Sequence, residues 1–243
     1  MSRRGWLWLA ALALSGAAGG CTPEPSRVDP PVAPTAAPPG ASGSPASETT
    51  SAPSARRPRL VALGDSLTAG LGLSPEQSWP ALLQGRLDAA GHDLEVVNAG
   101  VSGDTSAGGL RRLDWALDGD IRILIIELGA NDGLRGLPVA QMHDNLERII
   151  TSAKARGITV LLCGMEAPPN LGSQYTRAFR DAFRDLADEH DVAFLPFLLQ
   201  GVAGDDALNQ ADGIHPNVTG ARRVADLVWQ SLEPLLPRAL ASS

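Results

Sequence analysis

Ser66 lies in the sequence LVALGDSLTAG, which spans residues 60–70. The change from large apolar residues to small and polar ones predicts a buried strand that runs into a sharp turn and presents Ser66 at the edge of a sheet. A serine hydroxyl is a weak nucleophile, so it needs a base to accept its proton and donors to stabilise the oxyanion that follows. The prediction that Ser66 is a nucleophile therefore requires both kinds of group elsewhere in the chain.

The sequence DGIHPN at residues 212–217 supplies a candidate base. Asp212 lies three residues before His215, so its carboxylate can accept a hydrogen bond from one ring nitrogen of the histidine. The other ring nitrogen is then left to face Ser66. This spacing favours a serine, histidine and aspartate arrangement for nucleophilic catalysis.

Two further blocks supply candidate oxyanion donors. In the sequence NAGVSGDT at residues 98–105, the glycines allow backbone N–H groups to approach a ligand closely. In the sequence LGAND at residues 128–132, Asn131 can aim its side-chain amide at developing negative charge. We interpret Asp65 and Asp132 as carboxylates that brace their turns.

Each block also has a simpler interpretation when it is taken alone. The Ser66 block could be a turn with a capping serine or the phosphate-holding loop of a binding protein. Asp212 and His215 could form a structural hydrogen bond, and Asn98 and Asn131 could brace loops. The presence of all four blocks in one chain favours catalysis.

Apolar runs alternate with amphipathic segments from residue 59 to residue 237. The predicted strands are 60–63, 94–98, 121–128, 159–164 and 192–195. The predicted helices are 79–90, 105–117, 139–156, 176–189 and 218–235. This alternation predicts an α/β fold with a mostly parallel sheet covered on both faces, and ligands bind such sheets beyond the carboxyl ends of the strands.

The four blocks, in this order, resemble those of the SGNH or GDSL hydrolases, and in particular the bacterial arylesterase, thioesterase I and lysophospholipase L1 branch. The resemblance covers residues 59–237 and implies a flavodoxin-like three-layer α/β/α fold with about five parallel strands. It also implies that Ser66 is the nucleophile, that His215 is the general base, and that Asp212 orients the histidine. The implied oxyanion donors are the backbone N–H groups of Ser66 and Gly103 and the side chain of Asn131.

The resemblance further implies an esterase that acts on acyl esters and thioesters, including lysophospholipids. No cofactor is expected, no metal is expected because the acidic residues lack metal-ligand spacing, and the expected state is a monomer. The loops 133–139 and 166–175 would form the walls of an acyl groove. Its expected lining residues are Leu134, Leu137, Leu171 and Tyr175. A carbohydrate O-deacetylase of the same fold, a non-catalytic ligand-binding lipoprotein and a scaffolding protein are the alternatives.

The N-terminal part of the chain has the composition of an export signal and a tether. Residues 1–20 combine two arginines with a short apolar run, which is typical of a signal peptide. The sequence AGGC ending at Cys21 resembles a bacterial lipobox, so we expect lipidation of Cys21, with ordinary cleavage near Ala18 as the alternative. Residues 22–58 hold ten of the 19 prolines and predict a disordered tether, and residues 238–243 are a predicted tail.

These features predict a periplasmic or cell-surface protein that is anchored to a bacterial membrane through Cys21. The net charge of −7 argues against binding to nucleic acid. The other cysteine, Cys163, lies within an apolar run and is interpreted as a buried small hydrophobic residue.

Overall fold

The computed structural model describes residues 57–241. The predicted signal peptide, Cys21 and the predicted tether up to residue 56 lie outside this range. Within it, no helix combines the length and the apolar character that crossing a membrane requires.

Five parallel strands form the centre of the fold, as predicted. They are β1 (Arg59–Gly64), β2 (Glu95–Gly100), β3 (Ile121–Glu127), β4 (Thr159–Cys163) and β5 (Ala193–Leu195). Their order across the sheet is β2-β1-β3-β4-β5. Strands β1, β3 and β4 are almost wholly buried and rich in Leu, Ile and Val, which is typical of parallel strands covered on both faces.

The longer helices cover the two faces of the sheet. They are α2 (Trp79–Ala89), α6 (Val139–Ala155), α7 (Ser173–His190) and α8 (Val218–Leu232). Helix α2 packs against α8, and α6 packs against α7. In α6 the buried side chains recur every three or four residues, so one face of the helix meets the core. This confirms the predicted α/β fold.

Short helices follow the strands at the carboxyl edge of the sheet. They are α1 (Ser66–Ala69), α3 (Ser106–Arg111), α4 (Leu113–Ala116) and α5 (Ala130–Leu134). The single helix predicted for residues 105–117 is wrong, because the chain is interrupted at Arg112 between α3 and α4. There the Arg112 side chain bonds to carbonyl oxygens at the ends of two strands, so tertiary contacts override the helical pattern.

The C-terminal part of the chain continues as a helix beyond residue 237, where the sequence pattern placed the end of the domain. A short 3-10 turn at Glu233–Leu235 leads into α9 (Leu236–Ala241). Leu236 and Ala239 are buried, so one side of α9 packs against the core.

The register of the sheet places the ends of three neighbouring strands at the same level. Gly64 at the end of β1 is paired with Gly100 of β2 on one side and with Glu127 of β3 on the other. The loops that follow β1, β2 and β3 therefore emerge side by side, although they are distant in the sequence.

Candidate active site

Ser66 is the first residue of α1 and follows β1 after a single intervening residue, Asp65. The Asp65 carboxylate caps the helix, because its Oδ1 accepts a hydrogen bond of 3.0 Å from the backbone N–H of Leu67. The turn requires glycine at position 64, since a Cβ atom there would overlap the side chains of Thr68 and Glu127. The predicted strand and sharp turn that present Ser66 are thus confirmed.

His215 lies within hydrogen-bonding distance of Ser66. The Ser66 Oγ to His215 Nε2 distance is 2.8 Å, and the His215 Nδ1 to Asp212 Oδ2 distance is 2.7 Å. An ionised carboxylate only accepts hydrogen bonds, so Nδ1 is the donor to Asp212. In a neutral imidazole, Nε2 then carries the lone pair and accepts a hydrogen bond from the hydroxyl group of Ser66.

The backbone around His215 keeps Asp212 ionised. Hydrogen bonds from the backbone N–H groups of His215 and Ile214 to Oδ1, together with the bond from the His215 ring, lower the pKa of Asp212 to about 2. The carboxylate thus keeps its charge at any ordinary working pH, and its orientation is fixed by three donors.

The loop that carries His215 is tied to neighbouring parts of the molecule. The Gln210 backbone N–H donates to His215 O at 2.8 Å, and the Gln210 side chain donates to the carbonyl of Leu71, just beyond α1. Asn217 caps the N-terminus of α8 through bonds from the N–H groups of Thr219 and Gly220. These bonds hold the imidazole next to a serine that lies 149 residues earlier in the chain.

The three predicted oxyanion donors follow three adjacent strands. Within residues 57–241, neither the backbone N–H of Ser66 nor that of Gly103 has a hydrogen-bond acceptor. Gly103 adopts a left-handed backbone with φ of 84°, which favours glycine. Asn131 Nδ2 donates to Asp65 Oδ2 at 3.0 Å and to Asp104 O at 2.9 Å. Two N–H groups are therefore free for an oxyanion, whereas Asn131 would have to share one of its hydrogens.

A buried carboxylate links the second and third of these loops. Asp132 accepts hydrogen bonds from the backbone N–H and the hydroxyl group of Ser106, at 2.8 and 2.6 Å. The Ser106 hydroxyl also accepts a bond from Asn145 Nδ2 at 3.0 Å. Asp132 thus braces the loop that carries Gly103 against the helix that carries Asn131.

Sequence reasoning missed two charged residues beneath the site. Arg112 donates to Gly64 O, Ala99 O and the Asp104 carboxylate, and so joins the ends of β1 and β2. Glu127 is buried at the end of β3 and accepts from Thr68 Oγ1 at 2.7 Å. The sequence signal that could have found Glu127 is a carboxyl group placed directly after the apolar run of residues 123–126.

A largely apolar cavity of about 330 Å³ is lined in part by Leu67, the residue after Ser66, and by Ile214, the residue before His215, and we call it the acyl cavity. Its walls include Leu67, Ala130, Leu134, Met165, Phe197 and Ile214. Leu134, which the sequence pattern placed in an acyl groove, is among them. The other three predicted residues, Leu137, Leu171 and Tyr175, do not line this cavity. The Tyr175 hydroxyl donates to Leu137 O at 2.7 Å, and Leu171 and Tyr175 pack against the core.

In the part of the chain that the structure describes, one group of side chains is close enough together to hold a metal ion. It consists of His143, Asp144 and Glu147 on α6, whose ligand atoms lie within 4.8 Å of one another. These residues are not part of the Ser66 site.

Comparison with known proteins places the chain in a family. Residues 62–223 match the model of the GDSL-like Lipase/Acylhydrolase family. Esterase TesA from Pseudomonas aeruginosa is 47% identical over 178 residues, which cover 73% of this chain and 89% of that protein. The Escherichia coli protein named thioesterase 1/protease 1/lysophospholipase L1 is 40% identical over 178 residues, which cover 73% of this chain and 84% of that protein.

A solved structure agrees with these sequence matches. The psychrotrophic esterase EstA from a Pseudoalteromonas species, inhibited by monoethylphosphonate, is 36% identical and superposes with a TM-score of 0.70. The match covers 74% of this chain and 98% of that one. The chain therefore belongs to the GDSL-like lipase/acylhydrolase family, whose named relatives are esterases, and it is a carboxylic ester hydrolase.

Proposed function

We propose that the protein hydrolyses acyl esters and thioesters through an acyl-enzyme on Ser66. The observation that carries this proposal is the continuous hydrogen-bonded line from Ser66 Oγ through the His215 ring to the Asp212 carboxylate. In the first step Nε2 of His215 takes the hydroxyl proton while Oγ attacks the carbonyl carbon. The imidazolium then protonates the departing alkoxide or thiolate.

Water completes the reaction by the same route. His215 takes a proton from the water, the resulting hydroxide attacks the acyl carbon, and the proton returns to Ser66 Oγ as the acid leaves. Asp212 holds the ring and stabilises the imidazolium that forms in both steps. In each step the oxyanion accepts hydrogen bonds from Ser66 N–H and Gly103 N–H, and from Asn131 if its amide shares one hydrogen.

The acyl cavity supports an apolar acyl chain as the preferred substrate group. Leu134 and Ile214 at this cavity are 50% and 44% exposed, which leaves an apolar surface that a lipid chain can cover. The name of the Escherichia coli relative includes both thioesterase and lysophospholipase activities. We propose acyl esters, including lysophospholipids, as the substrate class, and we expect thioesters to be cleaved as well.

The proposed nucleophile is tested by labelling the protein with a fluorophosphonate probe, beside Ser66→Ala and His215→Ala. We expect label on Ser66 in the parent protein, none in Ser66→Ala and little in His215→Ala. Hydrolysis of p-nitrophenyl esters should be lost in parallel. A folded parent protein that is neither labelled nor active would instead indicate a non-catalytic binding protein.

The proposed substrate class is tested by filling the acyl cavity. Ala203 lines it and is exposed, so Ala203→Trp should lower kcat/KM for octanoyl esters by about 10-fold or more and leave acetyl esters little affected. Ala155→Trp, at an exposed position on α6, is the matched control. Equal loss for acetyl and octanoyl esters, or a parent protein that prefers acetylated sugars, would contradict this assignment and favour an O-deacetylase.

We also propose that the chain is exported and anchored through lipidated Cys21, because the sequence before this residue resembles a lipobox. The expected site of action is then the periplasm or the cell surface, and the expected state is a monomer. In a bacterial host the full chain should partition with membranes, whereas Cys21→Ala should be recovered in the soluble exported fraction. Equal partitioning of both chains would rule out the anchor.

A further inference from the structure

Two buried carboxyl groups lie beneath the proposed oxyanion site. Asp65 and Glu127 are 0% and 1% exposed, respectively. Glu127 Oε2 accepts hydrogen bonds from the backbone N–H of Asp65 at 3.2 Å and from Thr68 Oγ1 at 2.7 Å. Its Oε1 is buried and has no hydrogen-bond partner among residues 57–241. An ionised carboxylate with one such oxygen is unfavourable.

Asp65 has the stronger set of donors for a negative charge. Its Oδ1 accepts from Leu67 N–H and its Oδ2 accepts from Asn131 Nδ2, each at 3.0 Å. If both Asp65 and Glu127 were ionised, they would repel each other in a region of low dielectric constant. One of the two groups therefore keeps its proton. The weaker set of donors at Glu127 indicates that Glu127 is the protonated group.

The electrostatic surroundings agree with this placement of the proton. Burial raises the pKa of Glu127 well above its usual range, and the negative charge of Asp65 raises it further. Burial also raises the pKa of Asp65, but hydrogen bonds and the nearby His215 act in the opposite direction. The neighbouring Cys163 thiol is buried with a raised pKa, so it stays neutral and adds no charge.

Arg112, the cation that binds the residue before Asp65, is already paired with another carboxylate. The Arg112 guanidinium binds Gly64 O and the carboxylate of Asp104, with Nε to Oδ2 at 2.7 Å. Because this cation already has its own carboxylate, it does not provide a counterion for a charged Glu127.

We propose that Glu127 is a positioning residue, held as a neutral acid, that keeps the Asp65 carboxylate in place as the acceptor for the amide of Asn131. This inference rests on the proposed function, because it treats Asn131 as an oxyanion donor. Glu127 binds the backbone N–H of Asp65 and the side chain of Thr68, which lie on either side of the Ser66 turn. Its removal displaces Asp65, and Asn131 then loses one of its two acceptors.

The test compares Glu127→Gln with Glu127→Leu in the full-length protein. The glutamine amide keeps an oxygen for Asp65 N–H and Thr68 and replaces the acid O–H by N–H, so kcat should stay within about 3-fold of the parent value. Leucine has neither the acceptor oxygen nor the donor hydrogen. In Glu127→Leu, kcat should therefore fall by about 10²-fold, as for the loss of an oxyanion donor, with a smaller change in KM. Loss of kcat in Glu127→Gln equal to that in Glu127→Leu would overturn the proposal.

A second measurement tests whether Glu127 is protonated, and it does not depend on enzymatic activity. Because the pKa of Glu127 is raised in the folded protein, the unfolded chain releases this proton at a lower pH than the folded protein does. The melting temperature of the parent protein should therefore fall, relative to that of Glu127→Gln, between pH 5 and pH 8. A difference that does not change with pH would show that Glu127 is ionised and would overturn the proposal.

Infrared spectroscopy separates this inference from the proposed function. At neutral pH the parent protein should show the C=O band of a neutral buried carboxyl group, and Glu127→Gln should lack it. Presence of that band in a protein that no fluorophosphonate labels would refute the proposed function but not the protonation of Glu127. Absence of the band in an active, labelled protein would refute the inference alone.

Discussion

Asn131 uses both hydrogens of its side-chain amide to contact Asp65 and Asp104. An oxyanion next to Ser66 would have to share one of these hydrogens, so the same contacts that orient the amide also compete with its proposed role. A side chain that only braces the loop would keep both contacts throughout the reaction. These two roles predict different effects of substitution.

Asn131→Ala should lower kcat by about 10²-fold or more with little change in KM, because one oxyanion donor contributes about 3 kcal/mol to the transition state. Asn98→Ala is the matched control, since Asn98 also braces a loop at this edge through a bond to Thr68 O. Steady-state kinetics on a p-nitrophenyl ester measure both. Similar small losses in the two variants would assign Asn131 a bracing role alone.

The charge of Asp212 makes a further prediction at the residue scale. Because its pKa is about 2, Asp212 stays ionised at ordinary pH. Its ionised form stabilises the folded protein at every pH above the unfolded pKa near 4, and this contribution is lost as the pH falls through about 2. Between pH 4 and pH 9 the charge of Asp212 should therefore not change, and the pH–rate profile should show no step from this carboxyl group. Asp212→Asn should lower kcat by about 10³-fold or more, because the neutral amide no longer stabilises the imidazolium.

A pH–rate profile of the parent protein and Asp212→Asn measures this effect. Within residues 57–241, Asp205 is another exposed aspartate in the same loop, where it accepts from Ala207 N–H, and Asp205→Asn serves as the control. An equal, small loss in both variants would indicate that His215 needs no carboxylate partner.

At the scale of elements, the site depends on how the His215 loop enters α8. A single side chain, Asn217, joins them: its Oδ1 caps the helix and its Nδ2 donates to Ala207 O and Asn209 O. The cap is predictable from sequence, since asparagine is favoured at this position. The two bonds back to the loop depend on its folded course.

The two functions of Asn217 can be separated by substitution. Asn217→Ala should cost about 1 kcal/mol in the free energy of unfolding, because it removes the cap, and should also lower kcat. Asn217→Asp keeps the cap but removes the donor, so it should retain stability and lose part of kcat. Urea unfolding and ester hydrolysis measure the two effects, and unchanged kcat in both variants would show that the loop holds His215 without these bonds.

At the scale of the whole molecule, the strand order brings the site together. β1 lies between β2 and β3, so the loops that carry Ser66, Gly103 and Asn131 emerge at neighbouring positions. Ligands of parallel sheets bind at this edge because crossover connections leave a crevice there. His215 arrives from the far end of the chain and completes the site.

The end of the chain also contributes to the core. Because Leu236 is buried, Leu236→Ala should cost about 2–5 kcal/mol in the free energy of unfolding. Deletion of residues 236–243 should destabilise the domain at least as much. Substitution of exposed Ala241 by serine is the control, and urea unfolding is the measurement. A deletion that leaves the free energy of unfolding unchanged would support residue 237 as the end of the domain, as inferred from the sequence.

Local patterns in the sequence were enough to predict the five strands, the longer helices and the blocks that hold Ser66, Asn131 and His215, and the resemblance of these blocks to known ones indicated the family. Such features depend on periodicity and on residue types that are close together in the chain. The acyl cavity was only partly predicted, since Leu134 lines it but Leu137, Leu171 and Tyr175 do not. Side chains from loops that are distant in the sequence line this cavity, and their positions depend on how those loops pack.

The same reason explains why the roles of Arg112 and Glu127 were not predicted from the sequence. Arg112 interrupts a helical pattern because it binds carbonyl oxygens at the ends of two strands, and Glu127 is buried in a strand because it binds the Ser66 turn. The apolar run before Glu127 indicates a buried carboxyl group, but neither segment indicates which atoms its charged side chain binds. The residue types and their order specified the chemistry. Long-range packing decided the distances between the reacting groups and the charge of the buried carboxyl pair, because these properties depend on atoms that meet only when the sheet is assembled.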